Sequence, residues 1–230
     1  PATEITHVIS QVTFPAYSKL QDDPTKLKDA YLKVLQLTAF LSFPLAAGII
    51  VLAPDFTQIF LGPKWMSAVP LIQVLALAGL ARSLAATSGY LFYALGKTKI
   101  DTVLQIIRLI IMLALIYPMS LFMGLMGVAM AVLISILIVN VGFNAMAIKI
   151  TKCSLRQFIK IIIIPFINGV LTAIIILLLK NYLGPGFIKF IALLLIGTSL
   201  YLLISLILEK LLNYEITIIA SQIIASLRGT

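Results

Sequence analysis

The sequence has few of the side chains that perform chemistry: one histidine, one cysteine (Cys153) and eight acidic residues among 230. A single cysteine cannot form an intrachain disulfide, so it gives no information about the redox compartment. There is no His-Glu-x-x-His helix, Walker loop, nucleophile elbow or cysteine–histidine pattern with metal-ligand spacing. We therefore expect a protein that is not an enzyme and has no metal or other cofactor.

Charge is also scarce, whereas apolar residues are abundant. Charged residues make up 11% of the chain and hydrophobic residues 61%, with a mean hydropathy of +1.13. An ordinary soluble domain is about 25% charged and about 45–50% apolar. The composition therefore predicts an all-α fold, a polytopic transmembrane helix bundle. The net charge of +9 indicates membrane topology rather than a nucleic-acid partner, because the basic residues cluster at the ends of apolar segments.

About 20 apolar residues form a helix that crosses a bilayer. A partial helix ends near Tyr17, and six complete candidate spans follow it. They run over residues 34–53, 68–95, 103–122, 127–148, 161–179 and 190–208. Because Pro1 lies inside a helix already under way, we interpret residues 1–230 as the C-terminal transmembrane lobe of a longer protein. Residues 209–230 are predicted to form an amphipathic tail on the cytoplasmic face.

The loops between these spans alternate in charge. One set of loops holds thirteen basic residues and the other holds three, which are Lys64, Lys180 and Lys189. An excess of lysine and arginine marks the cytoplasmic side. The pattern predicts a multi-pass protein of the cell (inner) membrane whose C-terminus is cytoplasmic. The basic set comprises Lys19, Lys26, Lys28, Lys33, Lys97, Lys99, Arg108, Lys149, Lys152, Arg156, Lys160, Lys210 and Arg228.

Arg82 is the strongest candidate for a functional residue, because it falls near the middle of the second complete span. A charge at the bilayer centre costs at least about 2.5–3.5 kcal/mol, so it should face the bundle interior or a water-filled cavity. Small residues on the same face leave room for a ligand or a close helix contact. Arg82 could bind a phosphate or carboxylate. Alternatively, it pairs with an acid elsewhere or stabilises a cavity wall.

Three groups of weaker candidates accompany Arg82. Arg108 lies nearer the cytoplasmic end and can extend to the lipid headgroups. Asn140 and Asn144 lie one turn apart and either line a cavity or form interhelical hydrogen bonds, and packing is the preferred interpretation. Glu4 and His7 are one turn apart on the partial helix. They could take part in ion coupling or form a solvated or packed pair without a transport role.

Several segments of the first 110 residues resemble a known family. They are FPAYSKLQDD at 14–23, FPLAAG at 43–48, LGPKW at 61–65, AVPL at 68–71 and LALAGLARSL at 75–84. These segments resemble the polysaccharide and lipopolysaccharide (O-antigen-type) flippases of the multidrug/oligosaccharidyl-lipid/polysaccharide exporter superfamily. Beyond residue 110 only length, hydropathy and the number of spans are similar.

The resemblance implies a two-lobed exporter fold around a central cavity, of which this chain would be most of the second lobe. It implies a flippase that moves lipid-linked oligosaccharide, usually on undecaprenyl pyrophosphate, across the cytoplasmic membrane by alternating access. The implied partners are this substrate, membrane lipid and the missing N-terminal lobe of the same chain. Arg82 falls where a cationic cavity would bind pyrophosphate or acidic sugars.

Other functions remain open at this point. A cation-coupled multidrug antiporter or a peptidoglycan-precursor flippase would belong to the same superfamily. An antiporter needs a buried carboxylate for its cation, but we expect Asp55 and Asp101 to lie in loops. A membrane-embedded polysaccharide polymerase is disfavoured, because the outer loops are short and paired acids are lacking. A structural subunit without a transport role is the remaining alternative.

Overall fold

Long helices account for most of the residues that the structure describes. The structure is a computed structural model that describes residues 13–182 and 186–212. Helical residues 13–19 precede five long helices, and no strand occurs in the described ranges. A π-helical turn, Thr57–Leu61, and a 3-10 helix, Pro63–Ala68, connect the first two long helices. The long helices are α1 (Pro24–Phe56), α2 (Val69–Ala94), α3 (Thr98–Thr151), α4 (Leu155–Lys180) and α5 (Phe187–Leu212).

Side-chain caps fix the starts of α1 and α4. The Asp23 carboxylate accepts hydrogen bonds from the backbone amides of Thr25 (3.2 Å) and Lys26 (3.1 Å). These bonds, the one from Lys26 above all, hold the pKa of Asp23 below its usual range. Pro24 then occupies the first helical position, where no backbone donor is needed. Ser154 forms a capping box at the start of α4.

The 54-residue helix α3 consists of two antiparallel halves. Gly124 is the residue in α3 with non-helical dihedral angles (φ 56°, ψ −135°), and we name the halves α3a (98–123) and α3b (125–151). Gly142 lies against the Leu104 side chain, and Gly127 lies against the Met119 backbone. Both contacts pair positions that are equally distant from residue 123, as an antiparallel hairpin requires.

The described helices confirm the predicted spans. Five helices are long and apolar enough to cross a membrane, and the break at Gly124 gives six segments. Two predicted boundaries are wrong. Residues 123–126, predicted to connect two spans, are helical on both sides of Gly124, and α1 continues through Pro54 to Phe56. Proline does not end these helices, because transmembrane helices tolerate it when neighbouring groups satisfy the freed backbone.

Small hydroxyl side chains pair α1 with α2. Ser83 donates to Ser42 (2.9 Å), and Thr87 donates to Thr38 at 3.4 Å. All four side chains are buried. Further along the same interface, the hydroxyls of Tyr31 and Ser88 are 2.9 Å apart. Such contacts allow helix backbones to approach closely and supply association energy that lipid-exposed apolar side chains cannot.

The antiparallel arrangement gives the bundle two ends with different charge. We call them the Asp101 end, with residues 20–23, 95–97 and 152–154, and the Asp55 end, with residues 57–68, 124, 181–182 and 186. Within the described ranges, twelve basic residues lie towards the Asp101 end and three towards the Asp55 end. The predicted alternation of the loops is therefore present in the fold, whereas cytoplasmic placement of the Asp101 end stays a prediction.

Two of the predicted features fall outside the described residues. Glu4 and His7 precede residue 13, and nothing is described of their surroundings. The predicted amphipathic tail, 209–230, begins within α5, and its residues from 213 onward are outside the described ranges.

Candidate functional site: a cationic cluster and an apolar cavity

Arg82 lies on a face of α2 that the described helices leave open. Ala78, Ala81 and Ala85, which lie to one side of Arg82 on α2, are buried. Arg82 itself is exposed, as is Leu75, which lies two turns away on the same face. Among the described residues, no acid forms an ion pair with Arg82. The position near the midpoint of α2 agrees with the prediction that a charge stands deep in a span.

Arg108 brings a second positive charge towards Arg82. It is half-buried on α3a, and it is close enough to Arg82 for electrostatic repulsion and to Asp101 for attraction. No ion pair within 4.0 Å joins Arg108 to an acid of the described chain. The structure thus brings together the two arginines that the sequence singled out separately.

Asp101 is an acidic residue that the sequence analysis placed wrongly. It lies in the first turn of α3 rather than in a loop, and only 7% of its surface is exposed. Its Oδ2 accepts a hydrogen bond of 2.6 Å from the Tyr93 hydroxyl. A Cβ at Gly89 would lie 3.2 Å from its Oδ1, so the absence of a side chain there lets α2 approach the carboxylate. Arg82, Arg108 and Asp101 together form a cationic cluster with a net charge of +1.

The two predicted asparagines differ in their contacts. Asn140 donates from Nδ2 to the Ala81 carbonyl (2.8 Å) and so joins α3b to α2 beside Arg82. This is the interhelical bond that the packing interpretation expects. The buried Oδ1 of Asn144 has no hydrogen-bond partner, and neither has Oε1 of Gln105 on α3a. Buried acceptors of this kind are costly unless a donor reaches them, so they could accept from a hydroxyl-bearing ligand.

A separate apolar cavity of about 610 Å³ lies between α1, α4 and α5. Neither arginine lines it. Phe40, Pro44, Gly48 and Phe56 form its wall on α1, and Phe190 and Tyr201 are among its residues on α5. The cavity has the size of a ligand site, which is about 300–1,000 Å³.

An ion cluster lies next to this cavity at the Asp55 end. Lys180 Nζ is 2.5 Å from Asp55 Oδ2, and Lys189 Nζ is 3.6 Å from Asp55 Oδ1. Asp55 belongs to α1, Lys180 to α4 and Lys189 to α5, so the cluster joins the three helices around the cavity. Asp55 was expected to lie in a loop, and this prediction is wrong because α1 extends to Phe56. Hydropathy alone does not indicate that Asp55, Lys180 and Lys189 lie close together.

A buried polar cluster joins α4 to α5. Asn168 is 1% exposed and donates from Nδ2 to Ser205 Oγ (2.7 Å) and to the Tyr201 carbonyl (3.2 Å). The Tyr201 hydroxyl donates to the Phe40 carbonyl of α1 (2.9 Å). In the described part of the chain, no three histidine, cysteine, aspartate or glutamate residues come together as a metal site would require.

Comparison with known proteins confirms the resemblance stated above. A family model described as "Polysaccharide biosynthesis protein" matches residues 1–70. An uncharacterized membrane protein in the cps region of Klebsiella pneumoniae is 29% identical over 206 residues, which are 88% of this chain and 42% of that protein. The lipopolysaccharide biosynthesis protein WzxC of Escherichia coli is 27% identical over 176 residues, or 76% of this chain and 36% of WzxC. The teichuronic acid biosynthesis protein TuaB of Bacillus subtilis is 29% identical over 100 residues, or 44% of this chain and 21% of TuaB.

The fold matches that of a known flippase. The solved structure of lipid II flippase MurJ, in an inward closed conformation, superposes with a TM-score of 0.73 and 20% sequence identity. The match covers 91% of this chain and 43% of MurJ. The chain therefore has a flippase-like membrane fold and resembles polysaccharide-biosynthesis proteins. It spans about two fifths of the length of the first two relatives.

Proposed function

We propose that this chain is one lobe of a membrane transporter that moves a lipid-linked oligosaccharide across the cytoplasmic membrane. Its relatives are named for lipopolysaccharide and teichuronic acid biosynthesis, and the flippases that its first 110 residues resemble move lipid-linked oligosaccharide. In this proposal the transport works by alternating access, and the second lobe lies against the open face of α2.

The pair of arginines is the observation that carries the proposal. Arg82 and Arg108 repel one another, and the single acid of the cluster, Asp101, is already engaged by Tyr93. Holding two like charges together inside a membrane protein is costly unless an anion offsets them. A pyrophosphate carries more than one negative charge, and guanidinium groups bind phosphate oxygens in a bidentate geometry.

Each member of the cluster then has a distinct task. Arg82, on the open face, binds the phosphate of the carrier, and Arg108 adds a second positive charge at the adjacent helix. Asn140 fixes α3b against α2 beside Arg82. Asn144 and Gln105 provide free acceptors for sugar hydroxyls. Asp101 limits the net charge, so that the anion can leave again after translocation.

Replacement of Arg82 tests this proposal. In cells that lack the gene and have no redundant flippase, the carrier-linked oligosaccharide should accumulate in the inner leaflet. The complete wild-type protein should restore translocation. Arg82→Ala should reduce translocation at least about 10-fold, because a charge-assisted hydrogen bond contributes about 1.5–3 kcal/mol. The readout is the leaflet distribution of the labelled intermediate.

Two further variants serve as controls for this test. Arg82→Lys keeps the charge but loses the bidentate geometry, so we expect intermediate activity. Lys64→Ala, at an exposed basic residue outside the cluster, should leave translocation unchanged. Normal translocation by Arg82→Ala at equal protein levels would contradict the assigned role of Arg82.

A cation-coupled antiporter is the second candidate, and buried Asp101 favours it. Asp101 is a protected carboxylate inside a helix, and such a group can couple transport to a cation. In this case Asp101→Asn would abolish efflux of a cationic dye by the complete protein, whereas Arg82→Ala would not. If the protein is an oligosaccharide flippase instead, we expect no dye efflux from the wild type or from either variant.

A further inference from the structure

The apolar cavity has walls that offer nothing to a polar ligand. Three hydroxyl groups lie on its surface, and all are already bonded within the protein. Thr172 donates to Asn168 Oδ1 (3.4 Å), Thr198 to the Leu194 carbonyl (2.8 Å) and Tyr201 to the Phe40 carbonyl (2.9 Å). The remaining wall is aliphatic and aromatic. An occupant therefore gains energy here only by burying apolar surface.

The cavity is also elongated along the bundle. On α1 its lining residues run from Phe40 to Phe56, which corresponds to about 24 Å at 1.5 Å rise per residue. This length is most of the roughly 30 Å thickness of the hydrocarbon core. A long, narrow, apolar space parallel to the helices fits an extended hydrocarbon chain better than a compact ligand.

The Asp55 end of the cavity carries surplus positive charge. Phe56 and Phe190 line the cavity, and Asp55 and Lys189 are their immediate neighbours in the sequence. The side chains of Asp55, Lys180 and Lys189 are only 13%, 21% and 12% exposed. One carboxylate faces two ammonium groups, so one partly desolvated positive charge remains without compensation.

No other acid of the described chain can neutralise this charge. The remaining acids, apart from Glu4 and Glu215 in undescribed segments, lie towards the Asp101 end. The aromatic cluster of Phe56, Phe60, Phe187 and Phe190 surrounds the site, with neighbouring ring centroids 5.0–6.3 Å apart. Aromatic rings and lysines at a helix end are typical of the headgroup region of a membrane.

We propose that this cavity binds one anionic phospholipid, with an acyl chain between α1, α4 and α5 and its phosphate beside Lys180 and Lys189. The single surplus charge matches the single negative charge of a phosphodiester headgroup. The site is separate from the cluster of Arg82 and Arg108, so it does not depend on the proposed transport substrate. The bound lipid would join the ends of the three helices at the Asp55 end.

Lipid affinity of the complete purified protein tests the proposal. The probes are phosphatidylglycerol and phosphatidylcholine with identical acyl chains, titrated in detergent and followed by native mass spectrometry. We expect the wild type to bind phosphatidylglycerol about 5-fold more tightly, as one partly screened ion pair would give. Lys189→Gln should remove this preference, whereas Lys64→Gln, at an exposed lysine of the same end, should retain it.

Two variants separate lipid binding from a purely structural ion cluster. Asp55→Asn should increase the preference for phosphatidylglycerol, because it removes the internal competitor for both lysines. Gly48→Phe should weaken the binding of both lipids, because the position of a Cβ at Gly48 is open space on the cavity wall. Gly79→Phe on α2 is the matched control, since its Cβ position is also open but lies outside the cavity.

Several results would overturn the proposal. Equal affinities of the wild type for the two lipids would show that the surplus positive charge of Lys180 and Lys189 does not bind the headgroup. Loss of the preference for phosphatidylglycerol in Asp55→Asn would show that the ion cluster has only a structural role. Unchanged binding of both lipids by Gly48→Phe would place the acyl chain elsewhere. Inorganic phosphate that competes with the lipid at equal concentration would assign the site to a free anion.

Discussion

At the scale of single residues, burial and bonding separate the polar side chains that hold the helices together from those that are free to bind. Asn168 is fully buried, and both its amide nitrogen and its oxygen take part in hydrogen bonds to neighbouring groups. Arg82 is exposed and has no ion-pair partner among the described residues. The first type of residue stabilises the fold, and the second is available to a ligand or to another lobe.

Removal of the Asn168 amide should destabilise the contact between α4 and α5. Asn168→Ala deletes the bonds to Ser205 and to the Tyr201 carbonyl. We expect a loss of about 0.6–1.7 kcal/mol, which runs from the average to the largest value for interhelical hydrogen bonds in membranes. Unfolding of the complete protein in detergent measures this loss. Asn181→Ala, at an exposed amide after the end of α4, should change stability little, and an equal loss there would contradict the assignment.

The sequence identified the cations of the candidate site but not its acids. Arg82 and Arg108 stand out because any charge within an apolar run is conspicuous. Asp101 lies only three residues into α3 and Asp55 one residue before the end of α1, where a small change in a predicted boundary moves a residue from helix to loop. Their burial depends on which helices are neighbours, and that information is not present in hydropathy.

At the scale of elements, the hairpin of α3 depends on two glycines with different roles. Gly124 adopts a positive φ that a residue with a Cβ rarely adopts. Gly127 lies so close to the other half that a Cβ would overlap the Met119 carbonyl. The first glycine permits the reversal of the chain, and the second permits close approach of α3a and α3b.

Addition of a single methyl group at Gly127 should therefore separate the two halves. The opposing atom in Gly127→Ala is backbone and cannot rotate away, so we expect destabilisation of about 1–3 kcal/mol or more, as in overpacked cores. Gly48→Ala is the matched control, because its Cβ would meet nothing within 4 Å. The measurement is the melting temperature of each variant, which should be lower for Gly127→Ala than for Gly48→Ala. Equal values would show that the hairpin does not need the close contact at Gly127.

Element types could be predicted from sequence more fully than their connections. Hydropathy identified all six spans, since each is an apolar run of membrane length. It did not identify the tight reversal, because residues 123–126 were predicted to connect two spans, whereas only Gly124 interrupts the helix. The pairing of Ser42 with Ser83 likewise depends on the rotation of each helix, which a nearly uniform apolar sequence leaves undetermined.

At the scale of the whole molecule, the two ends of the bundle differ in charge, with twelve basic residues of the described chain against three. Lysine and arginine resist transfer across the membrane during insertion, so we predict that the richer end stays in the cytoplasm. This asymmetry is the basis for placing the Asp101 end on the cytoplasmic side.

Accessibility of introduced cysteines tests this orientation in intact cells. In a Cys153→Ser background, a membrane-impermeant maleimide should label Lys64→Cys at the Asp55 end. It should label Lys97→Cys only after the cells are permeabilised. The native Cys153 is buried, and its replacement by serine removes the single thiol of this sequence, so that any labelling reports on the introduced cysteine. The reverse labelling pattern would contradict the orientation.

The reversal at Gly124 also has a consequence for biogenesis. A nascent chain normally exposes a loop between successive membrane segments, and the translocation machinery can handle each segment in turn. Here one residue separates two segments of 26 and 27 residues, so no loop is available to hold one back while the other enters. The two halves of α3 must therefore partition into the bilayer together, as a preformed hairpin, and a charge introduced in either half would impair the insertion of both.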